Sequence, residues 1–380
     1  MTTRTKKMQC GKAAALFATA VSAAFTMSAA ADTTGTYTTN GVEWTWLTVD
    51  NSGSPSYRLG GGSAEVTAMP KDTVLDASLI PWGYVDDGGD YRIVDTISYA
   101  AFKDCASLTG NLTIPSTVKS IANQAFARTG ISRAIVEASC NGDILGGYQV
   151  FMGCSSLKGV LYKGHAKIRM NQHFVSSSAL KLVVFGPQMA RDTASQFSTC
   201  FNSAKGCKIF YSASQTSWES ATDEDWYVSR GNEVIRYGSG QDFDMEFGDM
   251  NDEVTIYPTT ETAVTNALSW VPLFKDALGL DMKIAITNRI EMSEGVEITA
   301  SMLQNVTLEA PPWYLTFAVQ NQTQLDNVLA SVSADTPIII DIEGVGKNQI
   351  TVPEGRKVAI LAKSGWTFGK KLNGIIISFR

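Results

Sequence analysis

The side chains that could perform acid–base chemistry near neutral pH are few in this chain. Among 380 residues there are two histidines, His165 and His173. Neither lies in an HExxH motif, and no GxSxG sequence is present, so metalloprotease and serine hydrolase mechanisms have no motif support. Catalytic carboxylate pairs stay open, because spacing along a chain does not fix spacing in the fold. No residue is therefore assigned a catalytic role.

Two acidic segments have carboxylates at spacings that could be typical of a metal-binding loop. In Asp242–Glu253 oxygen ligands alternate as in a calcium loop, but glycine stands at the seventh position instead of the sixth. Asp86–Asp90 has the composition of a turn. Gly60–Gly62 lacks the lysine and the spacing of a phosphate loop and indicates a bend. We expect solvated loops here, with no metal ion and no cofactor.

The first 31 residues have the three parts of a secretory signal. A basic start precedes the apolar stretch Ala13–Phe25, and Ala29–Ala31 supplies small residues for cleavage. The apolar stretch is too short for a good membrane span, and no later segment has eighteen uninterrupted apolar residues. The sequence therefore predicts a secreted or cell-surface protein that is cleaved near Ala31 and has no membrane span in its mature form.

Charge narrows the range of partners. The chain has 37 acidic and 31 basic residues, a formal net charge of −6. Removal of the signal takes away basic residues and no acidic ones, so the mature chain is more acidic still. Nucleic acid and anionic membranes are not expected partners, because no basic stripe is available to displace their counterions.

Cysteines do not form an obvious disulfide framework. Five remain after the signal, and an odd count in an exported protein argues against complete pairing. Cys105 and Cys154 occupy the same position in two repeats, as small buried apolar residues do. Pairing of Cys200 with Cys207 stays open.

A short sequence motif recurs along the middle of the chain, and its regular spacing predicts a repeat architecture. Five phenylalanines follow one another at intervals of 24, 25, 23 and 23 residues: Phe102, Phe126, Phe151, Phe174 and Phe197. After each comes a short apolar strand: Leu108–Ile114, Ile131–Val136, Leu157–Tyr162, Leu180–Phe185 and Ala204–Ile209. No unit can bury its own apolar positions, so the units must stack, with their strands parallel. The fold class is a β-rich α/β solenoid of about five units of 23–25 residues.

The amino-acid sequence of the repeats resembles that of the BspA-like bacterial leucine-rich repeats. The segments that carry the resemblance are Ile97–Pro115 and Val150–Tyr162, with a lead-in strand at Asn40–Trp46 and a final repeat and cap at Ile209–Trp218. The resemblance covers about residues 40–230. It implies an exported or surface protein, in several cases linked to adhesion, and it implies no catalytic residues.

A second organisation follows the repeats. Ile290–Ile298 aligns with Ile350–Val358 at an offset of 60 residues, and each copy follows an apolar strand, Lys283–Ile286 or Ile338–Ile342. Amphipathic helices are predicted before these strands, over Thr262–Leu278 and Gln322–Val332, with Thr259, Thr260 or Asn321 as N-caps. This part resembles the start of a right-handed parallel β-helix, and a smaller α+β domain is the alternative.

These observations predict five segments. They are a signal peptide (1–31), an N-terminal lead-in (32–90), a leucine-rich repeat solenoid with its cap (91–237), an acidic linker (238–253) and a β-rich domain with two helix–strand–strand repeats (254–380).

The best candidate site is a surface of the repeat sheet. Residues between the buried positions should face outward in two columns, Arg133–Gly159–Leu182–Gly206 and Ile135–Leu161–Val184–Lys208. Aligned apolar residues on an exposed sheet favour a binding surface, although β-branched residues also favour strands for their own sake. The predicted binding residues are Arg133, Ile135, Leu161, Lys163, Val184, Lys208 and Phe210.

The sequence therefore predicts an exported, non-enzymatic protein that binds an extracellular protein or glycan through its repeat sheet. One alternative is a carbohydrate-active enzyme, similar to a polysaccharide lyase, with the repeats as a targeting module. Its candidate residues Arg289, Asp341 and Lys357 are scattered along the chain. The other alternative is a structural spacer at the cell surface.

Overall fold

The computed structural model describes the chain between residues 33 and 368 with several gaps. The described residues are 33–51, 54–63, 65–85, 90–140, 144–192, 197–219, 231–248, 253–287, 290–292, 306–308, 315–319, 321–331, 338–342, 351–356, 358–362 and 365–368. The predicted signal segment 1–31, most of the turn Asp86–Asp90 and the lyase candidates Arg289 and Lys357 lie outside them.

One sheet of parallel strands runs through the repeat region. Its seven strands, in order, are Leu75–Asp76, Leu108–Ile114, Gly130–Val136, Gly159–Tyr162, Leu182–Phe185, Lys208–Ser212 and Glu233–Tyr237. Every neighbouring pair is parallel. The predicted stacking of parallel strands is confirmed, and we call this sheet the central sheet. The last predicted repeat strand is displaced, because it begins at Lys208 and not at Ala204.

Stacked phenylalanines fill the inside of the repeats. Ring centroids of successive repeats lie 5.0, 5.6, 6.2 and 5.4 Å apart along Phe102, Phe126, Phe151, Phe174 and Phe201. The predicted fifth member, Phe197, belongs instead to the short helix α1 (Phe197–Cys200). The repeats also carry a small parallel sheet of Ile144–Leu145, Ala166–Ile168 and Met189–Arg191.

An antiparallel meander begins the fold. Its strands are Thr33–Thr39, Val42–Asn51 and Ser54–Leu59, and the short strands Thr96–Ile97 and Ser120–Ile121 extend the sheet in parallel. Asn40 and Gly41 both have positive φ, 54° and 75°, as a two-residue hairpin turn requires. Gly83–Val85 pairs with Tyr91–Ile93, and two 3-10 turns span Ala77–Leu79 and Thr216–Trp218.

The chain then returns over the outer face of the central sheet. A covering sheet contains Phe243–Phe247, Glu253–Pro258, Asp281–Ile286 and Val306–Leu308. Between its second and third strands lies the long helix α2 (Glu261–Leu278), which begins with the predicted N-cap Thr260 and ends at Gly279 with φ of 77°. The predicted acidic linker is wrong over Phe243–Phe247, because that segment is a strand with Phe243 and Met245 buried.

The last sheet contains most of the second repeated pattern. Its strands are Ile290–Met292, Leu315–Val319, Ile338–Ile342, Val358–Ala362 and Gly365–Phe368. Helix α3 (Gln322–Ser331) connects the second strand to the third, and Asn321 caps it through the backbone N–H of Gln324. The predicted helices and the strands that follow them are confirmed. The second strands of the two units differ, because Ile290–Met292 leaves the covering sheet whereas Val358–Ala362 stays beside Ile338–Ile342.

Two apolar cores share the central sheet. The first lies inside the repeats, around the phenylalanine stack. The second lies between the outer face of the central sheet, α2 and the C-terminal sheets. Residue 237, the predicted end of the solenoid, is the last residue of the central sheet. The described residues beyond it pack on the outer face of that same sheet and have no separate core of their own.

Candidate functional site

The predicted outward columns exist, with one change of register. Parallel pairing aligns Arg133, Gly159, Leu182 and Lys208 in one column. It aligns Ile135, Leu161, Val184, Phe210 and Ile235 in the other. Lys208 therefore lies in the first column, two residues from its predicted place, and Phe210 takes its place in the apolar column.

The prediction that the apolar column faces solvent is wrong. Leu161 is 1% exposed, Val184 and Phe210 are 0% exposed, and Ile135 is 9% exposed. Helix α2 covers them: the ring of Phe210 lies 4.9 Å from Trp270 and 5.5 Å from Phe274 in edge-on contacts. The physical reason is that aligned apolar side chains gain free energy when removed from water, and this chain supplies its own cover.

A glycine lets the helix come close. A Cβ at Gly159 would lie 2.6 Å from the carbonyl oxygen of Ala277, in the last turn of α2. At Gly279, a Cβ would lie 2.6 Å from Nη1 of Arg133. Arg133 is therefore packed beside the end of α2, and the glycine in the first column marks a backbone contact between repeat sheet and helix.

The two predicted binding lysines, Lys163 and Lys208, also make contacts within this chain. Lys163 Nζ donates to the carbonyl oxygen of Gly248, 2.5 Å away, at the end of a covering strand. Lys208 pairs with Glu233 of the neighbouring central strand. Lys158, which was not predicted, donates to Asp276 Oδ1 of α2 at 2.6 Å. The seven predicted residues thus lie on or beside the interface between the central sheet and the C-terminal part.

A different surface of the repeats stays open to solvent, and sequence reasoning missed it. Three residues before the first four stacked phenylalanines lie Tyr99, Asn123, Tyr148 and Asn171. Tyr99 and Tyr148 are each 37% exposed. The alignment of the repeats already contained this column, because residues at a fixed distance from the phenylalanines line up along the stack.

The glutamines that follow Asn123, Tyr148 and Asn171 form a hydrogen-bonded ladder, which Lys103 of the first repeat extends. Lys103 Nζ donates to Gln124 Oε1 at 2.7 Å. Gln124 Nε2 donates to Gln149 Oε1 at 2.6 Å, and Gln149 Nε2 donates to Gln172 Oε1 at 2.7 Å. We call the eight residues of this column and ladder the turn face: Tyr99, Lys103, Asn123, Gln124, Tyr148, Gln149, Asn171 and Gln172.

The backbone under the ladder is held in an unusual conformation. Gln124, Gln149 and Gln172 have φ of 58°, 60° and 54°, the left-handed region that non-glycine residues rarely adopt. Each turn bonds to the next: the N–H of Gln124 donates to the carbonyl of Tyr148 at 2.8 Å, and that of Gln149 to Asn171 at 2.9 Å. Backbone and side-chain bonds between repeats thus hold the turns and the glutamine side chains of the turn face in place before any partner arrives.

Burial moves the pKa of several groups in the repeats away from neutral pH. His173 is 1% exposed, and burial lowers its pKa to about 3. Burial raises the pKa of the Cys105 and Cys200 thiols to about 12. Cys200 and Cys207 are both free thiols, so the pairing left open by the sequence is not formed. No group of three His, Cys, Asp or Glu side chains in the described part of the chain is placed to hold a metal ion.

Comparison with known proteins identifies the repeats. A family model described as "BspA type Leucine rich repeat region" matches residues 92–204 with six copies, where the phenylalanine spacing predicted about five. No curated protein matches the chain.

Two solved structures of bacterial proteins align with most of the chain. One is a leucine rich cell surface protein from Faecalibacterium prausnitzii A2-165, at 13% identity, covering 86% of this chain and 94% of that one, with a TM-score of 0.32. The other is a leucine-rich repeat protein from Bacteroides ovatus ATCC 8483, at 12% identity, covering 84% and 89%, with a TM-score of 0.20. Both scores are too low to establish a common fold over the whole chain.

Proposed function

Because residues 92–204 form a leucine-rich repeat region of the BspA type, we propose that this chain is an exported recognition protein whose turn face binds an extracellular protein. A repeat region of this family favours a binding role. Export rests on the signal segment 1–31 of the sequence. In the described part of the chain, no helix combines the length and the apolarity that a membrane crossing needs.

The observation that carries the proposal is the exposed tyrosine and asparagine column beside the ladder. Tyrosine offers a large, amphipathic contact area with few rotatable bonds, and asparagine offers adaptable hydrogen bonding, which is why both are enriched in antibody binding loops. The Tyr99 hydroxyl lies 3.5 Å from Gln124 Oε1, and the backbone N–H of Tyr148 donates to Asn123 Oδ1 at 2.7 Å. The second contact holds the Tyr148 backbone and the Asn123 amide in place, so less conformational entropy is lost there on binding.

The charge of this surface also suits a protein partner. Amides and tyrosines dominate, and Lys103, whose Nζ is bonded to Gln124, is the single charged residue of the eight. A surface of this kind depends on shape and hydrogen bonds more than on attraction at long range. The lyase-like alternative gains no support from the described residues, and a spacer would not need exposed tyrosines in register.

The proposal is tested with the chain from Asp32 onward, presented to immobilised fibronectin, laminin, collagen and mucin and to a glycan panel. We expect saturable binding to a protein that weakens by about tenfold or more in Tyr148→Ala, as expected for an aromatic anchor. The matched control is Tyr257→Ala, which removes a tyrosine of the covering sheet that is bonded to Glu246.

Three results would count against the proposal. They are no binding to any surface, equal loss of binding in both variants, and binding that Tyr148→Ala leaves unchanged. Binding to glycans alone, lost in Tyr148→Ala, would keep the site and replace the partner.

A further inference from the structure

A cavity lies where the central sheet ends, away from the turn face. Its volume is about 680 Å³, within the range of roughly 300–1,000 Å³ that small-molecule sites occupy. One wall is the last strand of the central sheet with the residue before it, Asn232–Arg236, and another is α2 through Asn266. Phe243 and Trp270, both nearly buried, supply an apolar floor.

The strand that forms the first wall is the edge of its sheet among the described residues. The N–H of Glu233 donates to Cys207, and the carbonyl of Tyr237 accepts from Ala213, both toward the neighbouring strand. Since direction alternates along a strand, the N–H and C=O groups of Val234 and Arg236 point the other way, to the cavity side. This wall therefore presents backbone donors and acceptors as well as side chains.

One buried side chain at the cavity has an unused donor. Asn232 is 4% exposed, and its Oδ1 accepts from the backbone N–H of Cys207 at 2.9 Å. That bond fixes the orientation of the amide. Its Nδ2 has no hydrogen-bond partner among the described residues. Buried amide donors are nearly always satisfied, so a ligand with an acceptor oxygen at this wall would complete the hydrogen bonding of Asn232.

The remaining polar groups favour a neutral ligand. Gln241 and Asn266 add two more carboxamides, each able to donate and to accept. Glu233 is paired with Lys208, and Arg236 Nε donates to the hydroxyl of Tyr211 at 2.6 Å. Glu233 and Arg236 thus already have partners within the chain. Asp242 is opposite to Arg236 in charge, so the lining has little net charge to attract an ion.

We propose that this cavity binds a neutral saccharide. Vicinal hydroxyl groups both donate and accept, so they match carboxamides on two walls and the backbone groups of an edge strand at once. The apolar floor of Phe243 and Trp270 suits the C–H face of a pyranose ring. An extended peptide added to the edge strand is the competing occupant. It needs an open groove, whereas α2 closes this site on its far side.

The test uses the chain from Asp32 onward and calorimetric titration with lactose, maltotriose, cellotriose, mannotriose and chitotriose. We expect at least one of them to bind saturably. Asn266→Ala should weaken that binding by about fivefold, the effect of one hydrogen bond, and Asn266→Trp should abolish it by filling the cavity. Asn266 is exposed on α2, so neither variant should disturb folding, which thermal unfolding checks. The matched control is Thr262→Ala, also exposed on α2 and outside the lining.

Absence of saccharide binding, or binding that Asn266→Trp leaves intact, would overturn the proposal. Binding of an acetylated (Thr-Val)₃ peptide that is lost in Asn266→Trp, without saccharide binding, would overturn it in favour of strand addition. Saccharide binding lost in Tyr148→Ala but retained in Asn266→Trp would also overturn it, while leaving a recognition function at the turn face.

Discussion

At the scale of single residues, burial sets the protonation of His173 and of the Cys105 and Cys200 thiols. The His173 ring lies edge-on to Phe174, with centroids 5.9 Å apart, and is enclosed by the repeats. Desolvation disfavours the imidazolium, which is why its pKa falls to about 3. The same burial keeps the Cys105 and Cys200 thiols protonated. These residues therefore act as packing groups at neutral pH and not as bases or nucleophiles.

A pH dependence of stability follows for His173. In the unfolded chain its pKa is 6.5, and in the fold it is about 3. Between these values the unfolded state binds a proton that the native state does not, so stability is complete above pH 6.5 and falls as pH falls. We expect the unfolding constant to rise by up to about tenfold per pH unit from this residue. Denaturant titrations of wild type and His173→Leu from pH 7.5 to 4.5 measure the difference in slope.

Two carboxylates with lowered pKa, Asp76 and Asp104, lose their stabilising effect mainly below the pH range of this comparison. A hydrogen bond from Ser78 lowers the pKa of Asp76 from 3.8, and a hydrogen bond from Arg128 lowers that of Asp104 from 3.8. Their stabilising effect is present above 3.8 and is lost at lower pH, outside the measured window. Equal slopes for wild type and His173→Leu would show that the imidazole is not desolvated in the native fold.

At the scale of elements, the central strands are apolar on both faces. Gly159–Tyr162 and Leu182–Phe185 have all four residues buried. Parallel strands covered on both sides are continuous hydrophobic runs, whereas strands with one wet face alternate. Helix α2 matches them, with Trp270 touching both Phe210 of the central sheet and Phe243 of the covering sheet. These elements are apolar enough to need cover on both sides. The inside of the repeats covers one face of the central sheet, and α2 with the covering sheet covers the other.

Gly159→Ala tests the closeness of sheet and helix. Its Cβ would meet the carbonyl oxygen of Ala277 at 2.6 Å, so the last turn of α2 must move. We expect a loss of about 1–3 kcal/mol in the free energy of unfolding, as for other overpacked sites. The matched control is Gly248→Ala, where the nearest atom lies at an ordinary 3.4 Å. Denaturant unfolding compares them, and a Gly159→Ala variant as stable as the control would contradict the close packing of α2.

Local patterns were enough to predict the elements but not what covers them. The phenylalanine spacing located four of the five stacked rings, and the caps Thr260 and Asn321 placed α2 and α3 within a residue or two. The cover was missed because Leu161 and Phe274 are more than a hundred residues apart, and periodicity along the chain carries no information on such contacts. The four-residue apolar run Leu182–Phe185 was the one local sign of burial on both faces.

At the scale of the whole molecule, the repeat array uses its two sides differently. The outer face of the central sheet is joined to the C-terminal part by a shared apolar core. The turn face, with Tyr99 and Tyr148, is left to solvent, and the cavity beside Asn232 lies at the end of the array. The C-terminal part therefore packs against the outer face of the central sheet and leaves the turn face exposed to solvent.

The most direct test of this account is the reactivity of cysteines placed on the two sides. The five cysteines that follow the signal segment are buried, so the chain from Asp32 onward should not react with a thiol reagent in its native state. Tyr148→Cys should then react with one equivalent of reagent, and Leu161→Cys should react only after denaturation. A Leu161→Cys variant that reacts in the native state as fast as Tyr148→Cys would contradict the account, because the face of the central sheet would then be open.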